Sequence, residues 1–191
     1  DVIKTMLILL KETETEYAIL NCDDDFLIPS ALEKMKEFLN KNSDYSGVNG
    51  KILLYNSQNS FVYKYKMKSL LGNNASERLL ELAEDYFGIL FSLFSTKHLL
   101  QIYQVPNIES SSVREELFGS FFASLLGRIG HINEVFSIRR YGHQRRVLGR
   151  QHDQASKDML VDSISKKITS LDKSSEEDAR KVVNLAIKKY V

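Results

Sequence analysis

Cysteine is nearly absent from this 191-residue chain: Cys22 stands alone, which excludes an intramolecular disulfide and any zinc site built from several thiolates. Charge of one sign is absent too. Twenty-six Lys and Arg against 25 Asp and Glu leave a net charge of +1, so bulk electrostatics do not make this a general nucleic-acid binder. No charge-free run approaches the roughly 20 residues a membrane-crossing helix needs. Internal repeats and low-complexity tracts are missing, and no secretory signal is visible, so the expected setting is cytoplasmic. What is present, 43% hydrophobic and 27% charged residues, is the make-up of one globular domain, or of one domain with a small appendage. Asp1 rather than Met opens the chain, so a fragment or a processed product is expected.

The apolar run at residues 2–10 fits a helix or a buried strand. Tyr17 to Asn21 reads as a buried central strand. Pro29, or Ser30 with Glu33 at capping-box spacing, should start a helix with Leu32, Met35, Phe38 and Leu39 inward. Residues 45–56 and 60–66 read as strands joined by a polar turn, 74–85 as a helix, 88–95 as a strand, 96–104 and 113–126 as helices, and 129–138 as a further strand. The last 40 residues read as two helices, 155–171 and 175–190. Ala179, Val182, Val183, Ala186, Ile187 and Tyr190 stripe the second, and an αα-hairpin folded onto the body is expected. This alternation predicts an α/β domain with a mainly parallel or mixed sheet.

Asp23, Asp24 and Asp25 follow the first strand directly. Like charges about 4 Å apart at an effective dielectric of ~20 repel by roughly 4 kcal/mol per pair. A divalent cation reverses that sign, and Mg²⁺ or Mn²⁺ takes one or two carboxylates and completes its shell with substrate phosphate. Ligands of open α/β sheets bind beyond the carboxyl ends of strands, where these aspartates stand. The bland alternative is a solvated acidic turn that complements the next helix dipole.

The stretch Asn21-Cys22-Asp23-Asp24-Asp25-Phe26-Leu27-Ile28-Pro29-Ser30-Ala31-Leu32-Glu33 resembles the aspartate motif of nucleotide-sugar glycosyltransferases with the GT-A fold, in particular the bacterial glycosyltransferase domain with a DDDF signature. Looser likeness continues from Phe38 to Asn49 and from Arg114 to Arg140, so that it covers about residues 1–145. The resemblance implies a GT-A-like sheet flanked by helices. A base-binding strand–helix–strand unit would precede residue 1, and this chain would then be N-terminally truncated. Residues 1–150 would form the C-terminal two-thirds of the catalytic domain, and 151–191 a helical appendage. The isolated chain would lack most base contacts and is expected to be inactive alone.

By the same resemblance Asp24 is the expected ligand of Mg²⁺ or Mn²⁺, Asp25 assists, and Asp23 faces the ribose or supports the metal. Many relatives carry an acid where Cys22 stands, which loosens the ribose assignment. Glu116 is the expected base that removes the acceptor proton, with Glu115 as the alternative or as an acceptor contact; Glu in a first helical turn also simply complements the dipole. His143 would add a metal or diphosphate contact, with His152 as competitor, whereas His98 and His131 read as structural. Among the arginines of residues 139–150, Arg139 and Arg140 could clamp the diphosphate or touch anionic headgroups, or belong to a solvated basic loop. The expected partners are a nucleotide-diphospho-sugar donor and a glycan or lipid-linked acceptor, with peripheral membrane contact and no nucleic acid. The competing readings are a Mg²⁺ phosphohydrolase using Asp23-x-Asp25 and a non-catalytic interaction domain.

Overall fold

A computed structural model of the chain describes residues 2–56, 58, 60–104, 112–141 and 154–190. The opening apolar run is a helix, α1 (Val2–Lys11), followed by β1 (Tyr17–Ile19), β2 (Phe26–Leu27), α2 (Pro29–Lys41), β3 (Tyr45–Asn56) and β4 (Val62–Tyr65). Next come α3 (Ala75–Glu84), a 3₁₀ turn (Ile89–Phe91), β5 (Leu93–Ser95), α4 (Thr96–Tyr103), α5 (Ser112–Leu125), β6 (Arg128–Tyr141), α6 (Gln154–Asp172) and α7 (Glu176–Tyr190).

The strands form one mixed sheet in the order β1-β5-β3-β6-β2, with β4 also on β3. Of the two expected forms, mainly parallel or mixed, the sheet takes the mixed one. Among the described strands only β3 and β6 run parallel; β1–β5, β2–β6, β3–β4 and β3–β5 are antiparallel. The connections explain this. A parallel pair needs a crossover of about a dozen residues or more. Residues 57–61 between β3 and β4 are too few, whereas α3, α4 and α5 intervene between β3 and β6. β1 is likewise no central strand: it pairs with β5 at the end of the sheet order, and all three of its residues are only half-buried.

Helix α2 begins with Pro29 at its first position after Ile28, without a side-chain cap, so the expected Ser30–Glu33 box does not form. Its Met35 and Leu39 are buried against the sheet, and it lies close enough that a Cβ on Gly130 of β6 would run into the Phe38 ring. Ile28 N–H donates to Phe136 O at 2.9 Å and ties the helix start to β6. In α3, Asn74 caps the helix by accepting from Glu77 N–H, and Leu79, Leu82 and Ala83 are buried. The expected strand at 88–95 divides into the 3₁₀ turn and the three-residue β5.

Ile164 and Ile168 of α6 and Ala179, Val183 and Ala186 of α7 join the same buried cluster as Phe87, Phe94, Phe121 and Phe136. One polar tie reinforces this contact. The Asp172 carboxylate at the end of α6 accepts from Ala75 N–H and Ser76 N–H, each at 2.9 Å, and from the Ser76 hydroxyl at 2.6 Å. A carboxylate at a helix N-terminus satisfies orphan donors and complements the dipole.

Candidate functional site

The three aspartates occupy the short link between β1 and β2. Asp25 N–H donates to Cys22 O at 3.2 Å and closes a tight turn over residues 22–25. The Asn21 amide braces it from inside, donating to Cys22 O at 2.9 Å and to Asp25 O at 3.2 Å. Asp23 and Asp24, at the turn's centre, are exposed. Asp25 differs: its side chain is only 4% exposed, and Arg139 Nε donates to its Oδ2 at 2.6 Å. Arg140 N–H donates to the other oxygen at 3.3 Å.

Arg139 is itself held. Its guanidinium carbon lies 3.6 Å from the centre of the Phe91 ring, and its Nη2 is 3.7 Å from Cys22 Sγ. The 3₁₀ turn carrying Phe91 packs against α5. Cys22 is exposed, yet its thiol is pushed up, first by burial around the sulfur and then by Asp25 and Asp24, with Arg139 opposing. A protonated thiol is neither a nucleophile nor a good ligand for a hard cation.

Single ligand atoms of Cys22, Asp24 and Asp25 lie within 4.8 Å of one another. Two carboxylate oxygens at that spacing suit Mg²⁺ or Mn²⁺, whose remaining positions would go to water and phosphate. The residues therefore fit such an ion, with Asp24 as the exposed carboxylate and Asp25 offering what its pairing with Arg139 leaves. Asp23 stands beside them on the same turn.

Of the other expected site residues, Arg139 and Arg140 do reach the aspartates, but not as a two-armed clamp. Arg139 is committed to Asp25 and Phe91, and consecutive strand residues point to opposite faces. Glu115 and Glu116 are the fourth and fifth residues of α5, with side chains outside the described ones. His143, His152 and Arg145, Arg146 and Arg150 lie outside the described residues.

The two remaining histidines are hydrogen-bonded within the fold. His98 Nδ1 is 2.7 Å from Ser95 Oγ, and His131 Nδ1 is 2.6 Å from Asn49 Oδ1. Burial is the first cause that lowers each imidazole from its ordinary value of 6.5, and nearby lysines add to it. His98 also lines a cleft of about 500 Å³ with Tyr17, Asn40, Ser95 and Thr96. That cleft sits at the start of β1, at the other end of the strand from the aspartates.

No protein-family model matches the chain, and no curated protein sequence matches it. Solved structures do. One is S. aureus TarS 1-349, with a TM-score of 0.58 at 15% identity over 96% of this chain and 49% of that one. Another is S. aureus TarS 1-349 in complex with UDP-GlcNAc, with a TM-score of 0.62 at 14% identity over 96% of this chain and 51% of that one. The chain thus spans about half the length of TarS 1-349 and, across nearly all of its own length, has a similar fold.

Proposed function

We propose that this chain is part of a metal-dependent glycosyltransferase. It would move a sugar from a nucleotide-diphospho-sugar to a hydroxyl acceptor, with inversion. The observation that carries the reading is the exposed Asp23–Asp24 turn, fixed by the Asp25–Arg139 pair, within a fold similar to that of a protein crystallised with UDP-GlcNAc. Asp24, helped by Asp25, would hold Mg²⁺ or Mn²⁺, and Asp23 would meet the ribose or support the metal. When bound, that cation would neutralise the charge developing on the leaving diphosphate.

The chain's own residues would do the rest. Asp25 and Arg139 keep the turn in place before the donor arrives, so that little reorganisation accompanies reaction. His143 would be an auxiliary diphosphate contact. Glu116, with Glu115 beside it, would take the acceptor proton as the hydroxyl attacks the sugar. The acceptor is a glycan or a lipid-linked glycan.

The test is transfer and donor affinity measured on the whole enzyme of which this chain would be part, with Mn²⁺ and UDP-GlcNAc, the molecule bound in the structural neighbour. Asp24→Ala should weaken donor binding tenfold or more with an unchanged melting temperature. Glu116→Gln should lower the transfer step and leave donor binding alone. Donor binding that Asp24→Ala leaves intact overturns the metal assignment.

A further inference from the structure

Of the twelve large hydrophobic residues exposed among the described ones, six belong to one end of the sheet: Phe26, Tyr55, Phe61, Val62, Tyr63 and Ile138. The register shows how they are arranged. Phe26 pairs with Ile138, Ile138 with Leu53, and Leu53 with Lys64; one row on, Arg140 pairs with Tyr55 and Tyr55 with Val62. Side chains of paired residues share a face, and those two apart along a strand share it too. Phe26, Ile138, Leu53, Tyr55, Val62, Lys64 and Arg140 therefore stand on one face. Phe26 is 71% exposed, Val62 57% and Tyr55 40%. The opposite face carries Ile52 and Ser137, both buried. Tyr63, which pairs with Leu54, and Phe61, its ring neighbour, stand on that opposite face too, beyond the part the core covers, so four of the six exposed residues, Phe26, Tyr55, Val62 and Ile138, share the open face.

At this end of the sheet the charge on β3, β4 and β6 is one-sided, with the exposed Asp23 and Asp24 adjoining only the Phe26 edge and Glu134 of β6 paired with Lys34 further along. Residues 51–66 and 135–141 contain Lys51, Lys64, Lys66, Arg139 and Arg140 and no carboxylate. Lys66 pairs with Asp85 and Arg139 with Asp25, so Lys51, Lys64 and Arg140 supply the outward positive field. The field reaches His131, whose imidazole is lowered by Lys64 and Lys51 after burial. Aliphatic Leu53, Val62 and Ile138 lie among the rings, so the strip is not a stack of aromatic platforms for sugar rings. Its chemistry is a flat apolar strip set among cations. An anionic bilayer surface complements both parts, taking exposed aromatic and aliphatic tips below its headgroups and pairing the cations with them.

We infer that the open face of β2, β3, β4 and β6 is a docking surface for an anionic lipid bilayer. Phe26 follows Asp25 directly, so docking would bring the aspartate turn to the membrane surface. The inference stands on this face alone and does not depend on the donor reading.

The experiment is co-sedimentation of the chain with vesicles of phosphatidylcholine alone and of phosphatidylcholine mixed with phosphatidylglycerol, at low and high salt. Binding is expected to the anionic vesicles only and to fall with salt. Lys64→Glu should lower partitioning about thirtyfold, since each cation near an anionic surface is worth about fivefold and reversal counts twice. The double variant Phe26→Ser/Val62→Ser should lower it about tenfold. Both changes fall on exposed side chains, and unchanged circular dichroism verifies the fold. Absent binding, binding indifferent to lipid charge, or binding that survives Lys64→Glu overturns the inference. So does a dimer in light scattering that Phe26→Ser/Val62→Ser dissociates, which would give the face to a second copy.

Discussion

Replacing Asp25 by Ala should destabilise the chain by about 3 kcal/mol, and the structure shows how that figure arises. Removing one partner of a buried ion pair costs about 3–5 kcal/mol, because the other charge is left without compensation. Asp25 is 4% exposed, but Arg139 is 18% exposed and rests on Phe91, so part of its charge stays solvated and the lower end applies. Asp25→Asn keeps one acceptor, for Arg139 or for the Arg140 N–H but not for both, and turns its NH₂ toward the other donor. It should cost about 2 kcal/mol, from the lost charge and the one lost bond together. Arg139→Met preserves most of the apolar contact with Phe91 while deleting the guanidinium. A double-mutant cycle over Asp25→Ala and Arg139→Met, read from urea midpoints with unchanged slopes, should then give a coupling of about 2 kcal/mol. A coupling under about 0.5 kcal/mol is what an exposed surface pair gives. It would show that the turn is not pinned to β6 by this contact.

Arg78, 8% exposed, donates to Ser124 O at 2.9 Å, Gly72 O at 3.0 Å and Leu125 O at 2.8 Å, so it closes the C-terminus of α5. Arg78→Met should cost about 3–5 kcal/mol in urea unfolding, and a loss under about 1 kcal/mol would mean that water replaces the guanidinium. Stability should also decline as pH falls from about 7 to 5. His98 and His131 bind protons less readily folded than unfolded, so acid favours the unfolded chain below the ordinary value of 6.5. The carboxylates held low by lysines, Glu84, Asp85, Glu134 and Asp162, lose their contribution only at lower pH, below about 4.5. A His98→Asn/His131→Asn variant should flatten the upper window; an unaltered slope there would assign it to other groups.

What the sequence revealed and what it hid divide along chain distance. The helix at 74–85, with Leu79, Leu82 and Ala83 buried, and the Ala179, Val183 and Ala186 stripe of α7 are local patterns, and they were legible. The 88–95 run was not resolved, because apolar residues fill a 3₁₀ turn and a buried strand alike. The pairing of β1 depends on Leu93 to Ser95, far along the chain, so its place beside β5 at the end of the sheet order left no mark within Tyr17 to Asn21. The aspartate turn stood out, but the partner of Asp25 lies 114 residues away, and neither periodicity nor spacing reports such a contact. Arg78 did leave a signal: it lies between Ala75 and Leu79 on the apolar stripe of α3, where a cation must find buried acceptors.

The Arg139 contact also changes why a cation would bind here. Three crowded carboxylates suggest a site that needs a metal to relieve repulsion. With Asp25 compensated by Arg139 and with Asp23 and Asp24 exposed, that repulsion is already reduced by a guanidinium and by water. An exposed turn with one uncommitted acid of the expected pair should hold Mn²⁺ weakly by itself and more strongly once a diphosphate supplies further oxygens. The two ligands should therefore be coupled, each tightening the other by the same factor, at least about tenfold. Calorimetric titration of Mn²⁺ with and without UDP measures that factor, and Asp24→Ala should bring it close to one. Equal Mn²⁺ affinity in both titrations would show that the ion and the diphosphate do not share this turn.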